Sequence, residues 1–212
     1  CIGEKITFNA SGGTAYQWTN AANSVVSTAA SFSFDPATLA QSGIYTVKVT
    51  DVNGCVQTTT TEAVIKDRPV AQATSNSPKC AGQTLMLSAA DAGAGATYAW
   101  SGPNGFSRTN EQNPIITLAQ PQHSGTYLLT VTRNGCSSTT TVEVTIYENP
   151  VANALTNSPV CEDSPLNFTA QNAGTGAQYQ WKNSAGTVLS TSASFSIAKA
   201  ALTDAGKYFL TV

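Results

Sequence analysis

The sequence has few charged residues and no long hydrophobic run. Only 10% of its 212 residues are Asp, Glu, Lys or Arg, and the net charge is -2. Because there is no excess of basic residues to attract phosphate groups, we expect no nucleic-acid partner. Because no stretch of about 18 apolar residues occurs, we expect no membrane insertion in this segment. Ser, Thr, Asn, Gln and Gly take the place of charge, which is typical of an extracellular β protein.

Groups that perform chemistry are also scarce. The sequence has one histidine, His123, and its carboxylates are scattered singly. An enzyme needs a nucleophile with a base, paired carboxylates or a metal cluster in one pocket. We therefore predict that the chain is not an enzyme and holds no cofactor. The segments Asp51–Gly54 and Asp91–Gly95 resemble fragments of calcium loops without the alternating ligands of a known loop, and calcium at a domain junction stays an alternative.

A unit of about 81 residues occurs three times. Each copy contains the motif Tyr-x-Trp and, 27 residues after the Trp, the Tyr of a Gly-x-Tyr motif. Repetition at a fixed period indicates tandem copies of one structural unit. The repeated aromatic residues, which we expect in the cores, are Trp18, Tyr45, Trp100, Tyr127, Trp181 and Tyr208.

Within each unit apolar and polar residues alternate, which predicts half-buried strands. Asn53-Gly54 and Asn134-Gly135 lie between alternating runs and predict tight hairpins. A later strand aligns Phe32 and Phe34 with Ile116 and Leu118 and with Phe195 and Ile197. About seven short strands in some 80 residues predict a two-sheet sandwich, with helix limited to single turns.

We therefore predict an all-β chain of three tandem two-sheet β-sandwiches. The predicted repeats are residues 1–67, which lack the first strand; residues 68–149, which are complete; and residues 150–212, which lack the last strand. Short links containing Pro favour an elongated, semi-rigid rod. The incomplete outer repeats indicate part of a longer array or, as a second interpretation, strand exchange between the subunits of a fibre.

The chain resembles the immunoglobulin-like superfamily through the glycines that precede the first strand (Gly3 and Gly82), the strand-C Trp and the tyrosine-corner pattern. More narrowly it is similar to the Ig-like or PKD-like repeats of Bacteroidetes cell-surface adhesins and gliding-associated giant surface proteins. The phrases that carry this resemblance are Cys80-Ala81-Gly82, residues 100–106 and Asn134-Gly135-Cys136. The resemblance implies a bacterial, secreted, cell-surface protein.

Five cysteines occupy regular positions, one before the first strand and one after the Asn-Gly turn of a repeat. They are Cys1, Cys55, Cys80, Cys136 and Cys161. In an exported chain such spacing predicts disulfides. Pairing Cys1 with Cys55 keeps the bond within one repeat. In an immunoglobulin-type sandwich, however, these two positions lie at opposite ends, roughly 20 Å apart. A disulfide needs Cα atoms within about 7 Å. The same topology places Cys1 beside Cys136 of the next repeat, and both pairings stay open.

The resemblance implies a non-catalytic stalk or spacer of a large adhesin, serving surface display and attachment. The alternatives are a carbohydrate- or protein-binding module, an accessory stalk of a secreted hydrolase, and a fibre subunit. The expected partners are neighbouring repeats of the same polypeptide, with surface polysaccharide or a host or cell-surface protein as further candidates. Pro103, Asn104 and Phe106 are the candidate contact loop, since Phe106 has no counterpart in the other repeats.

Overall fold

The computed structural model describes residues 1–212, and the chain divides into two compact units, Cys1–Tyr147 and Glu148–Val212. The prediction of an all-β fold is confirmed. The only helical segments are three single 3-10 turns, Leu39–Gln41, Pro121–His123 and Leu202–Asp204. Each of these turns comes directly before the strand that carries the repeated Tyr.

The first unit contains two sandwiches, and the first of them is built from six strands. The strands are β1 (Ile6–Asn9), β2 (Ala15–Thr19), β3 (Val25–Ser27), β4 (Ser31–Phe34), β5 (Gly43–Thr50) and β6 (Val56–Ala63). One sheet pairs β1 with β4, and the other has the order β3-β2-β5-β6. All of these pairings are antiparallel.

The second sandwich has nine strands. They are β7 (Ala73–Ser75), β8 (Lys79–Cys80), β9 (Leu85–Ala89), β10 (Thr97–Ser101), β11 (Ser107–Thr109), β12 (Ile115–Ile116), β13 (Gly125–Arg133), β14 (Cys136–Val144) and β15 (Ile146–Tyr147). One sheet has the order β12-β9-β7 and the other the order β11-β10-β13-β14. The short strands β15 and β8 pair in parallel, which closes the sandwich along one edge.

The second unit, Glu148–Val212, contains one sandwich of six strands. They are β16 (Ala154–Thr156), β17 (Leu166–Ala170), β18 (Gln180–Asn183), β19 (Val188–Ser190), β20 (Ser194–Ile197) and β21 (Tyr208–Thr211). The two sheets have the orders β16-β17-β20 and β19-β18-β21. The residues described here therefore form tandem immunoglobulin-like sandwiches.

The cores follow the alternation seen in the sequence, because successive side chains of a strand point to opposite faces. On β13, Tyr127, Leu129 and Val131 are fully buried, whereas Leu128 between them is 39% exposed. The indoles of Trp18, Trp100 and Trp181 are buried at the centres of the three cores.

The first and third cores are aromatic, and their packing is nearly the same. In the first, Phe8 stacks on Phe32 with ring centroids 4.7 Å apart and meets the Trp18 ring at 5.8 Å. In the third, Phe168 stacks on Phe195, also at 4.7 Å. The second core replaces these rings with aliphatic side chains such as Leu87.

One strand alignment predicted from the sequence is wrong. Ile116 pairs with Leu85 and so takes the place of Phe34, not of Phe32. Pro114 is fully buried in the place of Phe32, and Leu118 is 70% exposed. A proline at an inward position of a strand is unusual, so the sequence pattern does not point to Pro114. A shift of two residues keeps the same face of the strand, so alternation alone could not reveal the error.

We expect Leu129→Ala to destabilise the second sandwich by about 2–5 kcal/mol, because it leaves a cavity in a closed core. The matched variant Leu128→Ala, one residue earlier on the same strand, should cost less than about 1 kcal/mol because that side chain is half solvated. Urea denaturation followed by Trp fluorescence measures both changes. Equal losses would contradict the assignment of the inward face of β13.

Candidate functional site at the junction of the first two repeats

A disulfide joins the first two sandwiches. Cys1 lies ahead of β1, and Cys136 opens β14 directly after the Asn134-Gly135 turn. Their Cα atoms are 5.7 Å apart, and the bond spans a sequence separation of 135 residues. Cys136 is 1% exposed. The structure thus contains the pairing between neighbouring repeats, while Cys55, the partner in the alternative within one repeat, is a free, exposed thiol.

The Arg68 side chain binds both repeats at this junction. Its Nε donates to the carbonyl oxygen of Ile2 at 2.9 Å, and its Nη1 donates to the carbonyl oxygen of Ser137 at 3.0 Å. Its Nη2 forms an ion pair with Glu4 Oε1, also at 3.0 Å. Ile2 follows Cys1 and Ser137 follows Cys136, so one guanidinium group holds the residues next to both disulfide cysteines.

The linker adds two further contacts. The Lys66 carbonyl oxygen accepts a hydrogen bond from the Ile2 N–H at 2.9 Å. The Nζ of the Lys66 side chain donates to the Asn134 carbonyl at 3.1 Å. Pro69, which follows Arg68, is buried. We define the repeat clasp as Cys1, Cys136, Lys66, Arg68 and Glu4. Its ionic members are partly exposed, so each contributes little energy alone, but together they fix the orientation of the two repeats.

A tyrosine corner lies at the start of the Tyr-bearing strand of each repeat, which is β5, β13 or β21. In every copy the Tyr hydroxyl donates to the backbone carbonyl of the residue four positions earlier: Tyr45 to Gln41 at 2.9 Å, Tyr127 to His123 at 2.9 Å and Tyr208 to Asp204 at 2.7 Å. Loss of solvent raises the pKa of all three hydroxyls. For Tyr208 the negative charge of Asp204 raises the pKa further.

The side chains of Gln41, His123 and Asp204 all make the same contact in their repeats. Each accepts the backbone N–H of the residue three positions earlier. The distances are 2.7 Å for Gln41 Oε1 to Thr38, 2.8 Å for His123 Nδ1 to Gln120 and 2.9 Å for Asp204 Oδ2 to Ala201. The only requirement is an acceptor atom at that point, and the three side chains all supply one.

The candidate contact loop lies against the core. The Phe106 ring meets the Tyr127 ring edge-on at 5.3 Å, and the Arg108 guanidinium carbon lies 5.1 Å from the Phe106 centroid. Asn104 is exposed at the tip of the hairpin, whereas Pro103 is half-buried. A role of this loop in ligand contact stays a prediction.

The two candidate calcium segments are closed turns. Asp51 Oδ1 accepts the backbone N–H groups of Asn53 and Cys55, both at 2.8 Å, and Asp91 Oδ1 accepts that of Gly93 at 2.9 Å. No group of three or more His, Cys, Asp or Glu side chains is placed to hold a metal ion.

None of the helical segments has the length and apolar character needed to cross a membrane.

Sequence reasoning identified the two cysteines of the clasp but missed Lys66, Arg68 and Glu4. The missed signal is a local concentration of charge. Lys66, Asp67 and Arg68 are three consecutive charged residues in a chain that is only 10% charged, and they lie at a predicted repeat boundary. In a chain with so little charge, such a cluster at a boundary points to charged contacts between the repeats.

Comparison with known proteins supports the fold. Residues 67–150 match the family model described as the Ig-like domain CHU_C associated, a Bacteroidetes-type Ig domain. The I-band fragment I67-I69 of titin is 14% identical, with 99% of this chain and 87% of that one covered and a TM-score of 0.54. An E-to-A variant of the same three-Ig fragment is also 14% identical, with 99% of this chain and 87% of that one covered and a TM-score of 0.53. No curated protein matches the sequence.

We expect His123→Ala to destabilise the second sandwich by about 1 kcal/mol, because the Gln120 N–H loses its acceptor. His123→Gln and His123→Asp copy the side chains of the other two repeats and should retain most of that stability. Thermal unfolding of the three variants measures the difference. A loss as large in the Gln and Asp variants as in the Ala variant would show that the imidazole has another role.

The tyrosine corners predict a loss of stability at alkaline pH. Burial raises the pKa of Tyr127 above its usual value of 10.0, so the unfolded chain loses this proton at a lower pH than the folded chain. The contribution of the neutral hydroxyl is therefore complete below about pH 10 and falls as the pH rises through the raised folded pKa. Urea midpoints measured between about pH 8 and 11 should fall less steeply in Tyr127→Phe. An unchanged slope would contradict the assignment.

Proposed function

We propose that this chain is a non-catalytic stalk or spacer segment of a large secreted or cell-surface adhesin. The match of residues 67–150 to a Bacteroidetes-type Ig domain supports a bacterial surface protein. The disulfide supports an exported chain, because disulfides persist in oxidising compartments. Tandem sandwiches without any helix that could span the membrane fit a segment that lies outside the cell.

The observation that carries the proposal is the repeat clasp. A spacer that positions a distant binding domain must stop its domains from swinging, since a flexible link would let the distal end collapse back. Here a covalent bond, a guanidinium that binds both repeats and a short linker with a buried Pro69 all act at one boundary. Such a junction transmits orientation from one repeat to the next.

The repeated cysteine positions extend this arrangement to the other boundaries. Cys1, Cys80 and Cys161 come shortly before β1, β9 and β17, and Cys55 and Cys136 each follow an Asn-Gly turn. In our proposal each repeat of the full polypeptide gives its first cysteine to the turn cysteine of the next repeat. Neighbouring repeats are therefore the principal partners, and repeat number sets the reach of the stalk.

Under tension the bond bypasses most of the first unit. A force that enters at Cys1 passes through the sulfur atoms to Cys136, so residues 2–135 carry no load. Those residues hold the whole first sandwich and most of the second. A stalk built in this way extends little even when its sandwiches are only moderately stable.

Single-molecule stretching between the two ends of the chain tests this function. We expect oxidised protein to unfold with a total contour gain about 45 nm shorter than reduced protein, at roughly 3.3–3.6 Å for each residue that the bond protects. The variant Cys1→Ser with Cys136→Ser should behave like reduced protein under both conditions. Equal contour gains with and without the bond would remove the main support for a stalk that carries tension.

A further inference from the structure

The chain contains five cysteines and one disulfide. Three of them, Cys55, Cys80 and Cys161, are exposed thiols, whereas Cys136 is almost completely buried in the folded protein. Exposed thiols react readily with a soluble disulfide, since access is one of the factors that govern exchange. Some feature of the fold must therefore favour the pairing of Cys1 with Cys136 before the covalent bond exists.

Arg68 has the contacts that such a feature requires. Its guanidinium bonds the carbonyl of Ile2, the residue after Cys1, and the carbonyl of Ser137, the residue after Cys136. Both contacts are to backbone atoms, so they do not depend on the sulfur atoms. The ion pair with Glu4 orients the same guanidinium from the side of the first repeat. The planar fork of arginine allows these separate acceptors to be bound at once.

We propose that Arg68 is a positioning residue that selects the Cys1–Cys136 pairing, by holding the two thiols side by side while they are still reduced. This inference rests on the proposed function, because it explains how the junction of a disulfide-joined stalk forms correctly. Arg68 takes no part in the exchange chemistry. It acts through the two peptide segments that carry the cysteines.

The oxidation has two steps, and Arg68 affects only the second. A thiolate of the pair attacks one sulfur of a low-molecular-weight disulfide such as oxidised glutathione, which forms a mixed disulfide and releases one glutathione thiolate. The second cysteine, after losing its proton, attacks the protein sulfur of the mixed disulfide and releases the second glutathione. Two thiols lose two protons and two electrons, and one glutathione disulfide becomes two glutathione thiols. The second step is intramolecular, so its rate depends on how closely the two cysteines are held.

The test measures the two steps separately. In a background with Cys55→Ser, Cys80→Ser and Cys161→Ser, reduced protein is mixed with oxidised glutathione, quenched with acid and analysed by intact-mass spectrometry. We expect Arg68→Ala to form the mixed disulfide at the normal rate and to close the ring about tenfold more slowly, because it loses two charge-assisted bonds to the carbonyls. The mixed disulfide with one glutathione should accumulate as a result.

Matched variants separate positioning from a general loss of structure. Glu4→Gln keeps both carbonyl bonds of Arg68 and should slow closure less than about threefold. Arg68→Lys presents one ammonium in place of the fork and should fall between Arg68→Ala and the parent. Arg108→Ala, which removes an exposed arginine paired with Glu111 away from the junction, should have no effect. Circular dichroism of each reduced variant confirms that the sandwiches are folded.

Peptide mapping of the protein with all five cysteines provides a second readout. After oxidation, the parent should yield mainly the Cys1–Cys136 peptide pair, and Arg68→Ala should yield more pairs that include Cys55, Cys80 or Cys161. Unchanged closure rate and unchanged pairing in a folded Arg68→Ala protein would overturn the proposal. The same is true if both exchange steps slow equally, which would indicate a change in thiol accessibility. Either result leaves the stalk function intact, since the stretching experiment begins with the bond already formed.

Discussion

The structure depends on the burial of one face of every strand around a central indole. Trp18, Trp100 and Trp181 lie on the strand that pairs with the Tyr-bearing strand, and the opposite sheet closes over them. Because side chains alternate, the register that buries the Trp also buries the residue opposite it on the Tyr-bearing strand, as Val47 opposite Trp18 and Leu129 opposite Trp100 show. The same register determines where each strand ends, and hence which turns meet at the junction between repeats.

The ends of the sandwich are held by polar contacts that tolerate substitution. In each repeat a side chain accepts the same backbone N–H, through an amide oxygen in Gln41, an imidazole nitrogen in His123 and a carboxylate oxygen in Asp204. The Tyr hydroxyl that follows donates to a backbone carbonyl, as Tyr45 does. Contacts of this kind depend on backbone geometry more than on residue identity. The fold can therefore keep a fixed corner while the sequences of its repeats diverge.

The junction of the first two repeats uses a different strategy. The surface has little charge, and yet Lys66, Arg68 and Glu4 converge around the one disulfide. Exposed ion pairs contribute little to stability, but their geometry can decide which surfaces meet. In our proposals the sandwiches supply stability through their cores, the disulfide supplies strength under load, and Arg68 supplies selectivity in forming the disulfide.

The sequence alone determined the all-β fold, the period of the repeats and the aromatic positions of the cores, because alternation and spacing are local properties of the chain. It reduced the disulfide pairing of Cys1 to two candidates. Only the tertiary structure placed Cys1 beside Cys136, brought Arg68 between the two repeats and moved Pro114 into the position expected for Ile116. The first two features join residues that are distant in sequence, and the third is a shift of one full strand period. The charged residues 66–68 mark a repeat boundary, but a local pattern does not identify the atoms that they contact.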